Sequence, residues 1–143
     1  MKITNKRWML LRRFVVVMLL ALTTMLANQT TPVKAQCGDS IEPGVWVYGE
    51  IAYGRPCSYT FYGRVGAYVS IRMEKESFSS PLDPYLELKD PYGYIVAFDD
   101  DSGGNHNSLI GSYRLTSSGW YTIIARSYQN STSGRFGLYL ENY

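Results

Sequence analysis

Past residue 36 the sequence has no helical periodicity. Apolar residues instead recur at every second position, in short runs that Gly, Pro, Asn and Asp interrupt. A period of two places successive side chains on opposite faces of a strand, so this part of the chain can fold only as sheet. Runs of this kind cover residues 45–51, 58–62, 67–73, 85–89, 94–99, 108–115, 120–126 and 135–141. In three of them the alternation is clean. Val69, Ile71 and Met73 alternate with Tyr68, Ser70 and Arg72; Leu86 and Leu88 with Tyr85, Glu87 and Lys89; Phe136, Leu138 and Leu140 with Arg135, Gly137, Tyr139 and Glu141. One dry face and one wet face is the antiparallel pattern. About eight such strands, with turn signals between them, predict an all-β chain: an antiparallel β-sandwich, jelly-roll-like in strand number.

Residues 1–35 are of another kind. The chain carries 14 Lys and Arg against 12 Asp and Glu, a net charge of +2. Six of the basic residues (Lys2, Lys6, Arg7, Arg12, Arg13 and Lys34) precede residue 36, and no acidic residue does. Residues 14–26 form a thirteen-residue run with only two Thr as polar interruptions, well short of the ~20 residues that span a bilayer. A basic start, a short apolar stretch and Val33-Lys34-Ala35 as an A-x-A-like site predict a secretory signal peptide over 1–35, cleaved after Ala35, with Ala27 a weaker alternative. No stable membrane insertion is expected after cleavage. The single domain left, 36–143, keeps eight basic and all twelve acidic residues, a net charge of −4. That balance offers nothing to nucleic acid. Both cysteines, Cys37 and Cys57, fall in this part, and export to an oxidising compartment predicts a disulfide between them. The expected location is extracellular or periplasmic.

The densest chemistry lies in residues 82–110. Asp90-Pro91-Tyr92-Gly93 is a turn signal between two β runs. With Pro91 and Tyr92 at its centre, Leu88 faces Ile95, Leu86 faces Ala97, and Asp83 falls opposite Asp100. A slip of one residue would bring Asp83 to Asp99 or Asp101. In every register a carboxylate meets an acidic run, and like charges directly opposite each other are destabilising. Two readings follow. Asp at strand ends and in Gly-rich loops caps turns through side-chain hydrogen bonds. Alternatively Asp83, Asp99, Asp100 and Asp101 hold a cation, and an oxygen-rich, sulfur-free set favours Ca²⁺. The run lacks the spacing and closing Glu of an EF-hand.

The same stretch, continued by Gly119, Tyr121, Ile123, Gly134 and Phe136, resembles the bacterial pre-peptidase C-terminal (PPC) domain family. The matching order is Asp83 before the strand bearing Leu86 and Leu88, then Asp90 and Gly93, then a hydrophobic strand ending in Asp99-Asp100, then Ser108. Gly49-Glu50-Ile51, Tyr59-Thr60-Phe61, Gly63 and Gly66 look like the family's opening strands. The resemblance covers roughly residues 44–142. It implies a β-sandwich accessory domain of secreted bacterial proteins, not a catalyst, with calcium and collagen binding among relatives in collagenases. The chain departs from the family in having no peptidase ahead of the domain, and the cysteine pair lies outside the pattern.

Catalysis finds little support. His106 is the sole histidine and sits in a Gly-rich loop beside Ser102 and Ser108, with no G-x-S-x-G elbow. Asp83 with Asp100 or Glu87 could be paired as in a glycosidase, but a domain of this size has little room for a cleft. All 13 tyrosines lie past residue 36. Tyr68, Tyr85, Tyr94 and Tyr139 fall on expected wet faces, where they either cover the sheet or stack on sugars and proteins. Trp46 and Trp120 read as core or edge-packing residues. Asn130-Ser131-Thr132 is a glycosylation sequon. The expected function is therefore accessory or binding, with a protein, a matrix or a glycan as ligand and a secreted peptidase among the possible protein partners.

Overall fold

The alternation places Val47 and Ile51, Tyr59 and Phe61, Val69, Ile71 and Met73, Leu86 and Leu88, Tyr121 and Ile123, and Phe136, Leu138 and Leu140 on inward faces, and all of them are buried. They make one core between two sheets. The computed structural model describes residues 33–34 and 37–143. Its strands are β1 (Val33–Lys34), β2 (Trp46–Ile51), β3 (Cys57–Gly63), β4 (Tyr68–Lys75), β5 (Pro84–Lys89), β6 (Ile95–Asp99), β7 (Ser108–Arg114), β8 (Gly119–Ser127) and β9 (Gly134–Asn142). The expected leader and its cleavage site lie outside the described residues, apart from Val33 and Lys34.

One sheet runs β1-β2-β9-β4-β7 and the other β3-β8-β5-β6. Setting aside β1, a two-residue strand parallel to β2, all ladders are antiparallel. The chain crosses between the sheets at every connection from β2 to β9 except β5–β6, the one hairpin. This is the jelly-roll arrangement that the strand count predicts. Among the described residues the only helical segment is a 3-10 turn, Tyr128–Asn130.

Cys37 and Cys57 are joined in a disulfide. It secures a segment that runs along the outer edge of β3: Gly38 N donates to Ser58 O, Ile41 N to Thr60 O, and Thr60 N to Asp39 O. Ile41 ends this segment buried in the core.

The hairpin register differs from expectation. Leu86 pairs with Asp99, Glu87 with Phe98, Leu88 with Ala97 and Lys89 with Ile95, with an irregularity between the last two pairs. Two local causes account for the shift. The turn holds three residues, 91–93, because Asp90 N donates to Tyr94 O, and Gly93 takes the left-handed φ of 89° that such a loop needs. Val96 is then an extra residue on β6, a bulge that moves the count again. Ile95, expected opposite Leu88, lies opposite Lys89 and is 52% exposed.

Candidate functional site: an acidic corner beside an aromatic sheet face

Asp83 immediately precedes β5. Its backbone is held by the β8–β9 connection: Asp83 N donates to Thr132 Oγ1 at 3.0 Å, and Asp83 O accepts from Tyr128 N at 2.8 Å. Asp99 ends β6, and the loop from Asp100 to Asn107 folds back towards Asp83. That loop is tightly closed. Gly103 N donates to Asn107 O, Asn107 N to Gly104 O and Gly104 N to Asp101 O. A Cβ at Gly103 would lie 2.6 Å from the Asn107 carbonyl oxygen, so only glycine permits the closure.

The expected acidic residues share the corner but not one role. Because Asp99 is paired with the inward-facing Leu86, its carboxylate turns under the sheet edge. There Oδ2 accepts from Ser102 N at 3.0 Å and Leu109 N at 2.7 Å, which is the turn-capping reading. Asp100 projects one oxygen, Oδ1, into a buried position with no hydrogen-bond partner; it is the one such side-chain atom among the described residues. Burial pushes the Asp100 carboxyl up from its ordinary value, and the neighbouring charges of Asp101, Asp83 and Asp99 push it further, against a smaller opposing pull from Arg126. Asp101 Oδ1 lies 3.2 Å from His106 Nδ1, both side chains being exposed. A carboxylate oxygen of Asp83, one of Asp101 and a ring nitrogen of His106 all fall within 4.8 Å of one another. The convergence of Asp83 with the acidic run thus arises from the loop and not from the ladder, which ends at Leu86–Asp99.

For Ca²⁺ the fit is incomplete. One oxygen of Asp99 is engaged by two backbone N–H groups, and the donors that converge include an imidazole nitrogen, which suits calcium poorly.

Two further residues shape the site, and sequence periodicity carried no sign of either role. Ser108, fully buried at the start of β7, places its hydroxyl 2.7 Å from Pro84 O and 2.8 Å from Asp100 O, tying β5 to the acidic loop. Arg126 donates from Nε and Nη2 to Glu87 Oε1 at 3.1 and 2.8 Å, and its guanidinium lies 4.1 Å from the centre of the Tyr85 ring. The cross-strand pairing of Arg126 with Tyr85 becomes visible only once the sheet order is known.

The outer face of the β3-β8-β5-β6 sheet begins at this corner. Phe98 and Tyr128 each pack on Tyr85, at centroid distances of 6.3 and 5.9 Å. At the far end Trp120 and Tyr62, cross-strand partners, meet edge to face at 5.7 Å. Trp120 is therefore not a core residue. Tyr121 points inward at 0% exposure, so the alternation turns its neighbour to solvent, where it is 59% exposed. Trp46 packs half-buried on the outer face of the other sheet, against Tyr48 and Tyr139. Of the tyrosines expected on wet faces, Tyr68 and Tyr94 are exposed, and Tyr85 and Tyr139 are half-buried.

No family model matches the chain, and no curated protein does. Solved structures do. The pre-peptidase C-terminal domain of a collagenase from Bacillus anthracis superimposes with a TM-score of 0.57 at 17% identity, over 79% of this chain and 100% of that one. PliG of Aeromonas hydrophila, a periplasmic inhibitor of g-type lysozyme, gives 0.56 at 15% identity over 79% and 96%. PliG of Salmonella Typhimurium gives 0.52 at 18% over 73% and 97%. These likenesses span nearly the whole of each neighbour, and the fold of the chain is PPC-like, shared with the PliG inhibitors.

Proposed function

We propose that the chain is an exported, non-catalytic module that binds another protein through the outer face of the β3-β8-β5-β6 sheet. One observation carries this reading: Tyr62, Ile95, Phe98 and Trp120 lie on that face with 52–68% of their surface in solvent. Large apolar side chains gathered on one face mark interaction surfaces, and Trp and Tyr are the residues that dominate interface energetics. The acidic corner adjoins the Phe98–Tyr85 end of the face, and the domain is acidic as a whole. The fitting occupant is a protein with an apolar centre and a basic rim.

The fold neighbours support the reading. One is appended to an enzyme and the other inhibits one. Export is supported by the Cys37–Cys57 disulfide and by the periplasmic location of PliG. The chemistry at His106 also agrees. Among the described residues its side chain is hydrogen-bonded to Asp101 and to no serine, and the Ser108 hydroxyl is buried against two carbonyl oxygens.

Binding to immobilised g-type lysozyme and to triple-helical collagen tests the proposal. We expect binding to one of them that weakens at least tenfold in the Phe98→Ala/Trp120→Ala double variant and falls with added salt. Binding that the double variant leaves intact, or binding to neither protein, would sink it. A response confined to a glycan array would assign the aromatic face to sugars instead.

A further inference from the structure

The acidic corner holds more negative charge than the protein neutralises. Asp83, Asp99, Asp100 and Asp101 meet there. Arg126, the cation that acts on Asp100, has two of its nitrogens on Glu87. The buried Oδ1 of Asp100 has no hydrogen-bond partner at all. A buried carboxylate oxygen without a donor is costly, and among the described residues this corner alone carries that cost.

The donor set beside it is specific. Asp83 comes from the start of β5, anchored by Thr132 and Tyr128. Asp101 and His106 come from the two arms of the closed β6–β7 loop. Their 3.2 Å separation is close to the roughly 3.3 Å between two ligands that share a tetrahedral ion at about 2.0–2.1 Å. Asp83 completes the group, its carboxylate oxygen within 4.8 Å of the other two donors. Two carboxylate oxygens and one imidazole nitrogen suit a borderline divalent ion better than Ca²⁺.

We propose that Asp83, Asp101 and His106 bind a divalent transition-metal ion of the Zn²⁺ class, with its remaining coordination positions open to water. The ion would tie the β6–β7 loop to the start of β5 and offset the repulsion around Asp100. Its three ligands are not among the aromatic residues that carry the docking proposal, so either can fail alone.

The test uses protein purified without a histidine tag, so that His106 is the sole imidazole in the sample. After treatment with chelator, thermal unfolding is followed with Zn²⁺, Ni²⁺ or Ca²⁺, and the His106 ring signals are followed by NMR during titration with Ni²⁺. Zn²⁺ and Ni²⁺ raise the unfolding midpoint, Ca²⁺ at the same concentration does not, and Ni²⁺ broadens the His106 signals at substoichiometric ratios. His106→Asn keeps a residue that tolerates the left-handed φ of 56° found there and weakens Zn²⁺ binding at least tenfold; Asp83→Asn does the same. A Zn²⁺ response untouched by His106→Asn, a Ca²⁺ response as large as that to Zn²⁺, or no response to any ion overturns the proposal.

Discussion

Asp99 and Asp100 are chemically identical neighbours that the fold uses in opposite ways. Asp99 satisfies two backbone N–H groups, so Asp99→Ala leaves both without an acceptor. We expect a loss of about 2 kcal/mol in denaturant unfolding, with Asp99→Asn recovering part of it because an amide oxygen can still accept. Asp100 holds a buried oxygen that nothing satisfies, and its pKa is raised above the ordinary 3.8. Below 3.8 folded and unfolded chains both carry the proton, and the group contributes nothing. As pH rises past 3.8 the unfolded chain ionises first, so stability falls until the folded carboxyl ionises too, and the deficit then stays constant. Asp100→Asn should therefore stabilise the metal-free protein at pH 7 and lose that advantage by pH 3, which unfolding midpoints at the two pH values would show. The sequence made the capping role legible, since Asp beside a Gly-rich loop is a common cap. It could not assign the cap to Asp99: the expected register already sets Asp99 on the face of Leu86, but the loop that brings Ser102 N and Leu109 N to its carboxylate leaves no mark in the alternation.

At the scale of the element, the strands were legible and their pairing was not. Alternation determines which face of β4, β5 and β9 is dry, and all three are buried as the alternation requires. It is silent on a three-residue turn and on the Val96 bulge, which together slide the two strands by two residues, turn Ile95 to the outer face and set Ala97 opposite Leu88. The structure also supplies a reason for Gly119, one of the positions carrying the PPC resemblance. Gly119 begins β8 with φ 151°, and a Cβ there would lie 2.8–2.9 Å from the Pro91 ring of the β5–β6 turn. Gly119→Ala should cost about 1–3 kcal/mol through this clash. Replacing Pro91 with Gly in the same chain should recover part of the loss. Additive losses in the double variant would show that the Pro91 contact is not the cause.

Across the whole molecule the two open sheets expose four edges, and the chain treats them differently. An unpaired edge offers a row of N–H and C=O groups to other chains. β6 is short and bulged, and in the uncleaved chain β2 carries β1, part of the expected leader, over Val47 and Tyr48. The β3 edge is covered by the segment from Cys37 to Ile41, whose backbone bonds to Ser58 and Thr60 and whose far end sits in the core through Ile41. This explains in physical terms why a disulfide joins residues 20 apart at this place: it fastens a cover strip to the strand it protects. The expectation of export and a count of two cysteines were enough to pair them, whereas the edge they guard follows from a sheet order that no local pattern encodes. Closing a loop of this length is worth about 3 kcal/mol in the chain-entropy model. The Cys37→Ala/Cys57→Ala variant should therefore unfold about 3 kcal/mol earlier in denaturant, yet fold at neutral pH with the same circular dichroism, because the backbone bonds and Ile41 remain. Its second signature is specific to the edge: on heating, light scattering should rise before the global unfolding transition as β3 is uncovered. Scattering that begins only with global unfolding, as in the oxidised protein, would limit the disulfide to an entropic constraint.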